Sequence, residues 1–162
     1  MIEIRHINPD EVTAAKRVIY RVAHEIFNDP LPLEESIVYH ESRGELKDMD
    51  NIQQNYLDNG GIFLIMLDDS QLIGTGAIRK IQNDIRELNR LWLLTSYHGK
   101  GLGYRIIQEL FSFARQREYR RIWLQTDAIH QSRALNFYKR IGFYEMPRYT
   151  NHTDDISMGM FL

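Results

Sequence analysis

The run Tyr97-His98-Gly99-Lys100-Gly101-Leu102-Gly103-Tyr104 lies where a strand-like apolar segment hands over to a helical one. Glycine lets the backbone come close to a ligand, and the first amides of a helix, at its positive dipole end, favour a phosphate group. An anion site is therefore the direct expectation. The dinucleotide-binding fingerprint needs glycine at its first, third and sixth positions, but counting from Gly99 or Gly101 puts Tyr104 or Ile106 sixth; a P-loop needs Gly, Lys and Ser or Thr in succession, which is absent. Both nucleotide motifs fail. The same glycines would also suit a plain strand-to-helix turn, so the flanking segments have to decide.

Upstream, Glu87 to Leu94 reads as a strand, after a turn at Asn83 and Asp84. Before it, Ile62 to Leu67 is a compact apolar run, and Asp68, Asp69 and Ser70 turn into Gln71 to Ile81, which predicts an antiparallel hairpin. Downstream, Leu102, Ile106, Ile107, Leu110, Phe111, Phe113 and Ala114 share one face of a helix that begins inside the loop. Ile122 to Thr126 is the next strand, and strand, helix and strand in this order predict a right-handed parallel unit. A last helix over about Gln131 to Ile141 ends at Gly142, and strands near Phe143 to Pro147 and Asp155 to Leu162 close the chain. At the other end, Ile2, Ile4 and Ile7 suggest a strand. Pro9 opens a helix of about 18 residues carrying Val12, Ala15, Val18, Ile19, Val22, Ala23, Ile26 and Phe27 at three- and four-residue steps. Between Leu33 and Asn59 the pattern weakens to short helical pieces around Glu34 to Tyr39 and Asp48 to Leu57.

The 162 residues suit one domain over 1–162, which can bury roughly two-thirds of the surface of its unfolded chain. There is no cysteine, so disulfides, thiolate metal sites and a thiol nucleophile are excluded. A formal net charge of −2 gives no global field to gather nucleic acid. No segment approaches the roughly 18 apolar residues of a membrane span, and the expected location is the cytoplasm. The six histidines form no helical metal pair, so no metal site is expected.

What remains is Gly101, one residue, Gly103, with His98 three residues ahead of Gly101, and this resembles the acetyl-CoA pyrophosphate loop of the GNAT superfamily of N-acetyltransferases. The family pattern has Arg or Gln where this chain has His98; the backbone amides do not depend on that side chain. Glu87 to Leu93 looks like the family's fourth strand. Gln131 to Phe143, with Ala134, Phe137, Tyr138, Gly142 and Phe143, looks like its last helix and following strand, with Gln131 where the family often has Asn. The resemblance implies an α/β (α+β) domain: a central mixed, mostly antiparallel sheet with one splayed parallel strand pair, flanked by helices. It implies cofactor contacts from the main chain of Leu91, Trp92 and Leu93, where the pantetheine arm would pair. Pyrophosphate would be held at Gly99, Lys100, Gly101, Leu102 and Gly103, next to His98.

The activity so implied is transfer of an acetyl group from acetyl-CoA, as cosubstrate, directly to a primary amine of a small molecule or peptide. Such an amine is mostly protonated near neutral pH, and only its neutral form attacks a thioester, so a base is needed. Glu87 matches the place of the family's water-linked base; His98, His130 and Glu25 are alternatives. Tyr138 matches the tyrosine that meets the leaving sulfur, and it also suits core packing, because Ala134, Tyr138 and Ile141 share a helical face. Between Asn28 and Gly60, Asp29, Glu34, Glu35, Glu41, Glu45, Asp48, Asp50 and Asp58 face only Arg43 and Lys47, an acidic wall that would draw a cationic acceptor. Two rival readings stay open: a non-catalytic acyl-CoA-binding module, and an acyltransferase using a longer acyl group. Neither nucleic acid nor membrane is an expected partner, and a homodimer is left open.

Overall fold

In the computed structural model, residues 1–151 and 155–162 are described. The sheet strands are β1 (Ile2–His6), β2 (Ile62–Asp68), β3 (Gln71–Gln82), β4 (Ile85–Leu93), β5 (Arg121–Asp127), β6 (Tyr144–Met146) and β7 (Asp155–Phe161). The helices are α1 (Val12–Ile26), α2 (Leu33–Ser42), α3 (Ile52–Asn55), α4 (Leu102–Gln116) and α5 (Ser132–Ile141). Spatial order in the sheet is β1-β2-β3-β4-β5-β7-β6, and of these neighbours only β4 and β5 run parallel. This is the expected mixed sheet.

Every residue of Ile62–Leu67 is buried, so β2 is covered on both faces. Alternate side chains divide accordingly: Leu64 and Met66 join Ile106, Ile107 and Leu110 of α4, while Phe63, Ile65 and Leu67 join Ala15, Ile19 and Tyr20 of α1. The β2–β3 turn puts Asp69 (φ 46°) and Ser70 (φ 77°) in the left-handed region, the mirror-image turn whose twist matches the flanking strands. The predicted first helix is one turn of 3₁₀ helix, Pro9–Glu11, continued by α1. β4 starts at Ile85, two residues earlier than its hydrophobic pattern suggests, because the turn before it is tight: Asn83 has φ 39° and Gln82 pairs directly with Ile85. α5 starts at Ser132, since Gln131 acts as its N-cap residue.

A cleft between diverging strands

The parallel pairing of β4 with β5 stops after Ile85–Arg121, Arg86–Ile122 and Glu87–Trp123. Beyond that point the strands diverge, and among the described residues the β5-facing edge of Leu88–Leu93 has no strand partner. β5 keeps its antiparallel pairing with β7 as far as Asp127–Asp155, while β4 keeps β3 as far as Leu93–Gly74. A cavity of about 510 Å³ opens in this region, with Leu91, Trp92 and Leu93 in its wall.

The glycine loop meets the same cavity. Gly99 (φ 76°) and Gly101 (φ 77°) are left-handed, and Gly101 leads directly into α4. Among the described residues no side chain caps this helix, and no acidic residue occupies its first turn. The first intrahelical bond runs from the Arg105 amide to the Gly101 carbonyl, so the amides of Leu102, Gly103 and Tyr104 lack helical partners. A Cβ on Gly101 would meet nothing within 4 Å, so the left-handed backbone and not crowding selects glycine there. Three orphan amides beside open space form a fitting seat for a diphosphate.

The side chains of the loop take other duties. His98 Nε2 lies 2.8 Å from the Leu93 carbonyl, which can only accept, so this nitrogen carries a hydrogen and ties the loop to the end of β4. The Lys100 ammonium sits over the Tyr97 ring, 5.3 Å from its centroid, outside the cavity lining, and Tyr97 donates to Asp68 at 2.7 Å. Across the loop stands α5. The Arg133 guanidinium comes within 3.6 Å of where a Gly99 Cβ would be, and the Phe137 ring within 3.6 Å of the same point on Gly103. The Gln131 side chain accepts from the Asp127 amide at 3.2 Å and braces the β5–α5 turn.

Tyr138 lines the cavity, is 8% exposed, and packs against Phe137 and Phe143. Burial pushes its phenol pKa up, and among the described residues its hydroxyl has no hydrogen-bond partner. Leu91, Trp92, Leu93, His98, Gly99, Gly101, Leu102, Gly103 and Tyr138 thus surround one space. Glu87 does not join them. Its Oε1 accepts from Arg79 and its Oε2 from the Tyr149 hydroxyl, each at 2.8 Å, at the last paired position before the strands part. Glu25 accepts from the Thr95 hydroxyl at 2.8 Å. His130 lines the cavity with its Nδ1 3.1 Å from the Asp127 carboxylate and its ring 5.0 Å from that of Phe27. Arg133, Phe137 and Arg140 complete the α5 side of the cavity. Sequence reading missed these three, although the four-residue step from Arg133 to Phe137 is a signal that could have found two of them.

A second cavity, of about 520 Å³, lies between α1 and the segment that follows it, and Trp92 lines both. Its wall includes Tyr20, Asp29, His40, Glu45 and Arg90. The acidic wall read from the sequence is largely neutralised here by cations outside the segment in which it was counted. Lys16 holds Glu41 and Asp50, Arg17 holds Glu34, and Arg90 holds Asp48. His40 bridges Asp29 and Glu45. Burial lowers the His40 pKa, but its bonds to Glu45 and Asp29 outweigh that and leave it raised.

Residues 21–143 match the model of the acetyltransferase (GNAT) family. The chain belongs to this family. Among curated proteins it is 26% identical over 98 residues to YjgM, an uncharacterised N-acetyltransferase of Escherichia coli K12, covering 59% of this chain and 58% of that one. The chain spans about half the length of the curated relatives it matches, 58%, 47% and 48%. Among solved structures, a GNAT-family acetyltransferase of Staphylococcus aureus Mu50 superposes with a TM-score of 0.84 at 20% identity, covering 99% of each chain. The PaiA N-acetyltransferase of Thermoplasma acidophilum, solved in complex with coenzyme A, does so with a TM-score of 0.80 at 21% identity, covering 100% of this chain and 99% of that one. At these identities the two structures establish the fold.

Proposed function

We propose that this chain is an acetyl-CoA-dependent N-acetyltransferase that moves the acetyl group directly onto a primary amine of a small molecule or peptide. The observation that carries the reading is the joining, in one cavity, of the strand end Leu91–Leu93, the helix start at Leu102–Tyr104 with its three orphan amides, and Tyr138. The amides and the Arg133 guanidinium hold the diphosphate, and the edge of β4 pairs with the pantetheine arm. Acetyl-CoA, when bound, supplies an activated acyl group and a thiolate leaving group. With no cysteine in the chain, no thiol relays the acyl group.

Tyr138 donates a hydrogen bond to the departing sulfur. Its raised pKa keeps the hydroxyl protonated throughout the neutral range and makes full proton transfer to a thiolate unfavourable, so it acts by hydrogen bonding. Glu87 is the base of this reading, through water, and to serve it must exchange its bond from Tyr149 for one to that water. The second cavity, across Trp92, receives the acceptor, and a location in the cytoplasm suits this cosubstrate. PaiA, one of the superposed proteins, was solved with coenzyme A, which supports the same ligand here.

Thiol release on mixing the purified chain and acetyl-CoA with polyamines, amino acids, aminoglycosides and peptide amines tests the activity. Turnover with at least one class is expected. Coenzyme A binding without turnover on any amine would favour a binding module, and preference for longer thioesters a different acyl donor.

A further inference from the structure

We propose that Asp48, on the 3₁₀ turn Lys47–Asn51, is a positioning residue that holds the cofactor-facing end of β4 in its binding shape by acting through Arg90. The inference rests on the cofactor reading above. The register of β3 with β4 shifts between Thr75–Trp92 and Ala77–Asn89, so Arg90 and Leu91 together stand opposite Gly76. At this bulge Arg90 has φ 52°, a left-handed conformation disfavoured for any residue with a side chain. Leu91, Trp92 and Leu93 follow at once and line the cleft, so the direction in which their backbone faces depends on the bulge.

The bulge is held from two sides. Thr75 Oγ1 donates to the Arg90 carbonyl at 2.6 Å. The Arg90 guanidinium reaches Asp48 at 2.6 and 3.2 Å and the Glu45 carbonyl at 3.2 Å. The Asp48 side chain is only 16% exposed. The Tyr56 hydroxyl donates to Asp48 at 2.5 Å and accepts from Asn89 at 3.1 Å, so one network grips the residue before the bulge as well as the bulge itself. Opposite the bulge the methyl groups of Leu110, Ile106 and Leu91 fill the space where a side chain of Gly76 would go, since a Cβ there would stand 3.1 to 3.3 Å from them. A backbone kept out of its preferred region next to a binding edge needs neighbours that over-determine it, and Asp48 is the charged one.

The test measures coenzyme A affinity by calorimetry, with the melting temperature as a folding control, for the wild type, Asp48→Ala, and Asp48→Ala combined with Arg90→Gly. Asp48→Ala should weaken binding about ten-fold, whereas the double variant should return to within about three-fold of wild type, because glycine takes φ 52° without a side chain to hold. A residue that only stabilised the fold would show no such rescue. If Asp48→Ala does not fold, the double variant carries the test by folding and binding. A wild type that binds beside an unaffected Asp48→Ala, or a double variant as weak as the single one, overturns this proposal alone. A wild type that binds no coenzyme A overturns the cofactor reading with it.

Discussion

Tyr138 packs in the core, and in the proposed mechanism the same side chain also serves the chemistry. Its ring belongs to the core with Phe143, the residue lines the cavity, and among the described residues its hydroxyl has no hydrogen-bond partner. Tyr138→Phe should keep coenzyme A affinity within about two-fold and lower turnover by about a hundred- to a thousand-fold, which is the scale of losing one preorganised donor; undiminished turnover would remove Tyr138 from the mechanism. For Glu87, Glu87→Gln should lower turnover at least about a hundred-fold if the carboxylate takes the proton. A fall in melting temperature with turnover intact would assign it to the Arg79–Tyr149 ion-pair network only. Arg133→Ala should weaken coenzyme A binding about five- to ten-fold and leave binding of pantetheine, which has no diphosphate, unchanged. Tyr138 was legible because helical spacing fixes its face and a family motif its place. Arg133 was not, because its place beside the loop depends on α5 leaning over Gly99, 34 positions earlier.

At the level of elements, the junction between β4 and α4 is where the sequence reading and the proposed binding site meet. Glu87 to Leu94 read as a strand, the apolar stripe announced α4, and the glycines between them announced a strand-to-helix turn suited to an anion. Gly101→Ala isolates that turn, since no neighbour crowds the position. It should cost about 1–2 kcal/mol of stability from the left-handed backbone alone. It should also weaken coenzyme A binding, which calorimetry would detect; unchanged stability and affinity together would show that the turn tolerates a side chain. The bulge at Arg90 was not legible, because neither periodicity nor composition marks a left-handed arginine. Its cause lies 42 positions away at Asp48. The splay of β4 from β5 was likewise implied only by resemblance, since the pattern of each strand is the same whether or not its neighbour stays paired.

Across the whole molecule, charges counted within one segment misled where partners came from elsewhere. The carboxylates between Asn28 and Gly60 meet Lys16, Arg17 and Arg90, which no local window could pair with them. These contacts set the pH dependence of stability. The Ser36 hydroxyl and the Leu31 amide hold Asp29 down at about 2, and Asp48, despite burial that would raise it, is lowered by Arg90. Groups with lowered values stabilise the fold above the ordinary carboxylate range and lose that contribution as pH falls through their folded values. His40, raised above its ordinary value, contributes fully below that value and loses it as pH rises through the folded one. Melting temperature should therefore fall toward pH about 2 on one side and, on the other, as pH rises past the ordinary histidine value through the higher folded one, and His40→Gln should flatten that limb. A melting temperature that climbs steadily to pH about 9 would contradict this assignment.

The measurement that bears most directly on the whole account is a calorimetric titration of the purified, folded wild-type chain with coenzyme A and with acetyl-CoA. The cleft, the orphan amides and Arg133 predict saturable binding of both at one site, weakened by Arg133→Ala. No heat at millimolar ligand would contradict it.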